Sequence, residues 1–495
     1  MTNSEKKEEF FSSRWGLILS MIGVAVGAGN IWRFSRIVAQ NGGGSFMIPW
    51  TVFLFIWSIP LVITEIAMGK LTRKAPIGAL ALTGGKSIGW MGAFIATVTT
   101  GILFYYSIVI GWGFVYFLYS ITGVLTRNPD HYAVWQSFIH SYQPLYAHVL
   151  AVGTACWIIY KGIVKGIEKT NKILIPSLLV MIFIICIRAV TLPGAWEGIK
   201  YLFTPHMEDL LNYRVWIEAL IQNAWDTGAG WGLLLIYAGY IQKKESVTVN
   251  GCITAVSNNA ISLIMGITIF SAVFSLEHLW GIEELKHGVA STNTGLTFIY
   301  IPKIFEQLPG GPIIHLGFSA IFFLAFSFAA LSSVMSMYQL TAQVFNELGI
   351  PRNTAIWITG ILAILLGAPS ALSMAFFDNQ DWVWSSGLIV NGLFIAIGVI
   401  RYGVNRYRLV AVNSSKSDFK IGRIYNFMIA FLVPTQAVIL LIWTFYRSVS
   451  ESGIKDFWNP FRLYSIGSLI FQWGISMILF LILNRWLVNR TLKNK

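Results

Sequence analysis

Charge is scarce in this chain. Lys, Arg, Asp and Glu make up 12% of its 495 residues, about half the quarter that is usual for a soluble domain. Hydrophobic residues make up 55%. A soluble fold has no interior large enough for so much apolar surface, so the composition points to a polytopic membrane protein. The same scarcity of polar residues excludes a disordered chain. Three cysteines are too few for a disulfide-rich secreted module. Cys156, Cys186 and Cys252 all fall inside apolar runs, so no structural disulfide is expected. No Gly-x-Ser-x-Gly elbow and no His-Glu-x-x-His pair occurs, and nothing else speaks for an enzyme. The net charge of +13 suggests a polyanion partner at first sight. The basic residues lie in short loops between apolar runs, however, which is the pattern of membrane orientation rather than of nucleic-acid binding.

What the chain has is length of apolar run. A helix needs about 20 mostly apolar residues to cross the hydrocarbon core. Twelve candidates stand near 15–36, 45–70, 88–122, 146–161, 173–190, 214–240, 249–276, 313–345, 354–373, 382–402, 425–447 and 463–489. With the N-terminus inside, 24 of the 35 Lys and Arg fall in or beside cytoplasmic segments and 9 on the other side, with Arg33 and Arg36 within the first span. That bias predicts both termini in the cytoplasm, as an even number of spans requires. The polar first ten residues run directly into a full-length span, so no cleavable leader is expected. The longest external stretches, near 123–145 and 277–312, leave room for short helical or re-entrant pieces only.

Two spans carry glycine where a helix tolerates it badly. The first contains Gly23-Val24-Ala25-Val26-Gly27-Ala28-Gly29-Asn30, and the sixth Asp226-Thr227-Gly228-Ala229-Gly230-Trp231-Gly232. Each interior glycine weakens a helix by roughly 1 kcal/mol relative to alanine. Gly23 and Gly27 also fit a Gly-xxx-Gly packing face. The polar Asn30 and charged Arg33 that follow, and the echo of Gly-Ala-Gly five spans later beside an aspartate, favour broken helices instead. Such breaks free carbonyls for a cation and N–H groups for an anion, and their recurrence at matching depth marks an inverted-repeat transporter site.

At these residues the chain resembles the neurotransmitter:sodium symporter family. Trp15-Gly16-Leu17 through Gly23–Phe34 is similar to that family's first helix, and Asn41-Gly42-Gly43-Gly44-Ser45-Phe46-Met47-Ile48-Pro49 to its turn into the second. Tyr105-Tyr106, Gln222 to Gly232, Asn258 and Ala329-Ala330-Leu331-Ser332-Ser333 follow in the family's order, over roughly residues 14–402. The resemblance implies an all-α membrane protein of LeuT-type fold: 12 transmembrane helices, a 5+5 inverted repeat, and broken helices 1 and 6. The implied layout is an N-terminal tail over 1–13, repeats over 14–190 and 191–402, and helices 11 and 12 with the C-terminal tail over 403–495. The implied activity is sodium-driven symport of a small amino acid by alternating access.

Carried over residue by residue, the resemblance implies two Na+ sites. One would take the carbonyls of Gly23, Val26 and Ala329 and the hydroxyls of Ser332 and Ser333. Hard oxygens without a carboxylate suit a monovalent ion that must leave again. The other, next to substrate, would take the Ala25 carbonyl with Asn30 and Asn258. Asp226 stands there where relatives usually offer Ser or Thr. A buried carboxylate at mid-membrane needs a partner, and no basic residue follows in its span until Lys243. The chloride set of many animal members is a Tyr, a Gln and two Ser. It appears here as Trp50, Gln222, Ser262 and Asp226, so a built-in negative charge makes chloride redundant and none is expected.

The substrate carboxylate would rest on the N–H groups of Ala28 and Gly29 with Tyr106. Gly27 leaves room for it where monoamine carriers carry an aspartate. Val24, Ile102, Trp225, Gly228, Trp231, Ser333, Ser336 and Met337 would line the side-chain pocket. That set suits a neutral side chain of medium size, aliphatic or amide. Arg33 with Asp381, and Tyr106 with Trp225, would gate the outer side. Tyr240 and Glu347 would gate the inner side, with Glu8 beside Lys7 at the position of the family's basic partner. Glu65 would accept hydrogen bonds from the broken sixth helix. Competing readings are a channel, a non-transporting amino-acid sensor, and a proton-influenced or differently selective carrier for cationic amino acids or amines. The partners implied are the substrate and the lipid bilayer, with no nucleic acid. The short tails, the lack of external cysteines and the short second external loop lead us to expect the plasma (inner) membrane of a prokaryote.

Overall fold

The computed structural model describes residues 10–276, 282–414, 419–453 and 455–493. The first apolar run forms two helices, α1 (Arg14–Ala25) and α2 (Ala28–Gln40), bent by 47°. Four continuous helices follow: α3 (Gly44–Thr72), α4 (Lys86–Ile121), α5 (Gln143–Tyr160) and α6 (Ile163–Val190). The sixth run is again two helices, α7 (Tyr213–Asp226) and α8 (Leu233–Ala238). Then come α9 (Val247–Ser275), α10 (Pro312–Glu347), α11 (Arg352–Leu372), α12 (Met374–Tyr402), α13 (Ile424–Glu451) and α14 (Ile466–Lys493).

Among the described residues, nine of these helices are long and apolar enough to cross a membrane, and the bent α1–α2 pair makes ten. The twelve expected runs are all helical, but two fall short of a full span. The helix α5 has only 18 residues and opens with Gln143, Tyr146 and His148, which dilute its apolarity. The sixth is cut into pieces of 14 and 6 residues. The connecting stretches hold short pieces such as Val124–Arg127, His131–Ile139 and Ile301–Glu306, as their lengths predict.

Burial sorts the helices into an inner and an outer set. The α4 helix is enclosed nearly throughout, whereas α14 presents most of its surface outward. Its exposed face carries Ile470, Phe471, Ile475, Ile478 and Ile482, a surface that only a bilayer covers without cost. The two interrupted runs lie inside, walled by α3, α6, α9 and α10, and α4 reaches both breaks through Thr99 and Tyr106.

Candidate functional site

The first break is two residues long. Val26 and Gly27 are both extended, and the helix restarts at Ala28. Asn30 caps the restart by accepting from the Gly27 N–H at 2.8 Å. Gly27 has no left-handed backbone, so its lack of a side chain matters for space alone. A Cβ there would lie 2.9 Å from Ser333 Oγ and 3.1 Å from Tyr106 Oη. The second break is longer, over 227–232, and winds through Gly228, Gly230 and Gly232 at φ of +72°, +88° and +74°. Non-glycine residues adopt such angles only with strain. Its freed groups are taken up by neighbours, as buried backbone requires. The Gly230 N–H donates to Glu65 Oε1, and the Trp231 carbonyl accepts from Thr99 Oγ1 at 2.6 Å.

Asp226 ends α7 beside the first break. Its Oδ2 accepts from Ser262 Oγ at 2.7 Å, from Asn30 Nδ2 at 3.2 Å and from Asn258 Nδ2 at 3.5 Å. The outer end of the Asn258 amide lies 3.0 Å from both the Ala25 and the Asp226 carbonyl oxygens, and 2.8 Å from Asn30 Nδ2. With its oxygen there, the amide suits Asn30 and faces two carbonyls; with its nitrogen there, it suits the carbonyls and faces an N–H. Neither orientation satisfies all three neighbours. A cation between the oxygens would. Of the four residues of the anion set, Ser262 touches Asp226, Gln222 lies one turn before it on α7, and Trp50 packs its ring on Phe34 at 4.8 Å.

The second expected ion set also converges. Ser332 Oγ and Ser333 Oγ each lie 3.4 Å from the Val26 carbonyl, and 2.8 and 3.4 Å from that of Ala329. A Cβ at Gly23 would lie 3.3 Å from Ser332 Cβ.

Between the breaks is a cavity of about 30 Å³, bounded by Val24, Gly27, Gly29, Tyr106, Trp225, Asp226, Gly228, Trp231, Ser333 and Met337 among others. That volume holds one or two waters. Three residues expected at its wall are placed otherwise. Ile102 is fully buried outside it. The Ser336 hydroxyl donates to the Ser332 carbonyl at 3.0 Å and meets Tyr237 Oη at 2.9 Å. The Ala28 N–H, expected to face a substrate carboxylate, donates to Tyr106 Oη at 2.9 Å.

Tyr106 and Trp225 bound this cavity and also a vestibule of about 330 Å³ next to it, so the two rings form the partition. The vestibule carries both Arg33 and Asp381, but no direct ion pair joins them. The Arg33 guanidinium lies over the Trp225 ring at 5.3 Å, and Asp381 accepts from Tyr105 Oη at 2.8 Å. Each charge thus has a local partner that holds it off the other. At the opposite end, Tyr240 Oη donates to Gln343 Oε1 at 3.1 Å, and Gln343 Nε2 donates to Glu347 Oε1 at 3.3 Å. Glu8 and Lys7 lie outside the described residues. At the same end, the stretch just before α1 is tied down by bonds of its own. Phe11 N–H donates to the Tyr240 carbonyl at 3.1 Å, and Ser12 places its N–H and hydroxyl on Glu168 at 2.7 and 2.6 Å, where Lys172 pairs at 2.7 Å. The sequence analysis did not foresee this anchor; the one signal in the chain is the four-residue spacing of Glu168 and Lys172.

The profile of the Sodium:neurotransmitter symporter family matches residues 8–143 and 134–490. This chain belongs to that family. The symporter is similar to a sodium-dependent transporter of Methanocaldococcus jannaschii, 31% identical over 96% of this chain and 98% of the relative. It is also similar to the sodium-dependent neutral amino acid transporter B(0)AT3 of Rattus norvegicus, 31% identical over 55% of this chain and 49% of that one. The crystal structure of MhsT in complex with L-phenylalanine matches with a TM-score of 0.77 at 30% identity, over 88% of this chain and 99% of that one. The fold is therefore of the LeuT type. The symporter is a sodium-dependent, multi-pass membrane transporter, and its relatives are transporters rather than enzymes.

Proposed function

We propose that this symporter couples sodium entry to uptake of a small neutral amino acid by alternating access, and that Asp226 supplies a fixed negative charge in place of chloride. The observation that carries this reading is the oxygen cluster around the Asn258 amide. It gathers the Ala25 carbonyl, the Asp226 carbonyl and carboxylate, and Asn30 in one buried spot. A carboxylate buried there with no Lys or Arg bonded to it demands a counter-ion. A bound sodium meets that demand and leaves the neighbourhood without net charge. A chloride would add a second negative charge within a few ångströms.

The second sodium takes the Gly23, Val26 and Ala329 carbonyls and the Ser332 and Ser333 hydroxyls. The substrate carboxylate lies against the restart of α2, where Gly27 leaves space and the helix N-terminus offers N–H groups to an anion. Tyr106 then exchanges its bond with the Ala28 N–H for one to the substrate. Trp231 and Met337 limit the side chain, and Trp225 with Tyr106 closes over it. The names of two relatives support the substrate class: rat B(0)AT3 is a neutral amino acid transporter, and MhsT was crystallised with L-phenylalanine.

The vestibule faces outward, and the Phe11–Tyr240 and Ser12–Glu168 contacts close the inward end. Both termini lie in the cytoplasm of a prokaryote, and helices 1–5 and 6–10 are the two inverted halves. The test is a binding panel of the twenty amino acids to purified protein in sodium, in potassium, and in sodium without chloride. One or more neutral amino acids should bind in sodium alone, equally well without chloride. Binding equal in potassium would refute the coupling.

A further inference from the structure

One buried side chain is left over from the two ion sets and the substrate cavity. The inward face of α6 carries Asn171, Leu174, Ile175, Leu178, Ile182 and Ile185, at the spacing of one helix face. Asn171 is the one polar residue in that row. It is fully enclosed, and neither its Oδ1 nor its Nδ2 has a hydrogen-bond partner among the described residues. A side-chain amide accepts at its oxygen and donates twice from its nitrogen. Burying one idle is costly, and an idle one in a folded interior calls for an ion or a water.

Its neighbours favour the ion. Gly23 of α1 meets α6 and α10 at once: a Cβ there would lie 3.3 Å from Asn171 Oδ1, 3.2 Å from Ile175 Cδ1 and 3.3 Å from Ser332 Cβ. The amide oxygen thus lies beside the Gly23 peptide. The carbonyl of that peptide belongs to the second ion set, with those of Val26 and Ala329 and the hydroxyls of Ser332 and Ser333. All of these groups stand on the first run and on α10. The third helix at this junction, α6, gives none of them. Ser20 lies three residues before Gly23 and four after Gly16, whose Cβ would run into Glu168 of α6. It therefore shares the α1 face that meets α6. Its hydroxyl, too, is buried and idle.

We propose that Asn171 is a further ligand of the second sodium, its Oδ1 completing the oxygen set from the α6 side. The inference rests on the sodium coupling proposed above. An amide carbonyl is a hard oxygen donor of the same kind as a backbone carbonyl. It carries no net charge, so the site gains an oxygen without a carboxylate, and the ion can still leave.

The test is the thermal midpoint of the full chain in detergent, with sodium titrated against potassium at constant ionic strength and no substrate present. An ion that binds only the folded chain raises that midpoint as its concentration rises. Asn171→Leu keeps the size and removes the oxygen. Its melt in potassium should stay cooperative, and an equal rise should need about fivefold more sodium than in the native chain. Asn171→Asp keeps an oxygen and adds a charge, so its rise should begin at less sodium than the native one. The loss from Asn171→Leu should shrink where Ser332→Ala is already present, because both act on one ion, and persist beside Asp226→Asn, which acts on the other. An Asn171→Leu titration that overlays the native one would overturn the proposal: Asn171 then holds a water or only packs. A loss undiminished beside Ser332→Ala would overturn it as well. If Asn171→Leu does not fold, Asn171→Asp decides, and a titration no tighter than the native one overturns it. A native chain that melts alike in sodium and potassium would sink the sodium coupling itself, and this ligand with it.

Discussion

The first run is interrupted over two residues and the sixth over six, and the two are held open in different ways. At Val26 and Gly27 the backbone stays in the ordinary extended region, and one side chain three residues on, Asn30, caps the restart. At 227–232 three glycines take left-handed angles, and the loop is braced from outside by Glu65 and Thr99. The first break is therefore a joint whose glycine is needed for room. The second is a loop whose glycines are needed for conformation. Sequence similarity between the two Gly-Ala-Gly motifs hides this division. The joint presents N–H groups at a helix start, and the loop sets a carboxylate, Asp226, at a helix end.

Substitutions separate the two roles. The largest effect is expected from Gly230→Ala, which puts a side chain at φ +88° with its Cβ 3.1 Å from the Leu388 carbonyl. A strained residue of this kind costs about 1–3 kcal/mol, and the thermal midpoint in detergent should fall by several degrees whether or not substrate is present. Glu65→Ala should come next, because it leaves the Gly230 N–H buried without a partner, a loss of about 1–3 kcal/mol. Glu65→Gln keeps an acceptor and should restore most of that stability, which a melting curve will show. Gly27→Ala inverts the pattern. Its φ of −128° suits any residue, so the melting temperature should hold. Its Cβ would crowd Ser333 and Tyr106, and substrate affinity measured by calorimetry should fall about tenfold, or about 1.4 kcal/mol. The smallest effect belongs to Thr99→Val, which removes one donor from the Trp231 carbonyl and should lower stability by about 1 kcal/mol.

Much of this was legible in the chain before any coordinates. Glycine punctuation inside apolar runs located both breaks, because the polar Asn30, the charged Arg33 and the echo beside Asp226 outweighed a simple Gly-xxx-Gly packing face. Asp226, Asn30, Asn258 and Ser262 were legible as one set only through the family resemblance, since 36 residues separate Ser262 from Asp226 and 196 separate Asn30 from it. What escaped were contacts decided by packing. Arg33 and Asp381 are complementary charges, and nothing in the sequence says that Trp225 and Tyr105 intercept them. The Ser12–Glu168 anchor joins residues 156 apart, and neither partner stands out alone. Ser336 sits at the spacing of a pocket residue, yet its hydroxyl turns to Tyr237. Helix periodicity sets which face a residue occupies; the rotamer that decides its partner depends on neighbours far along the chain.

The central claim is that Asp226 is the charge that lets this symporter hold sodium without chloride. Its most direct test is a sodium titration of substrate binding, with chloride and with an impermeant organic anion, for the native chain and for Asp226→Asn. The account predicts that the native curves coincide, and that the variant needs at least tenfold more sodium in the organic anion and recovers part of that loss in chloride. A native chain that binds only in chloride would contradict it, as would an Asp226→Asn curve that overlays the native one.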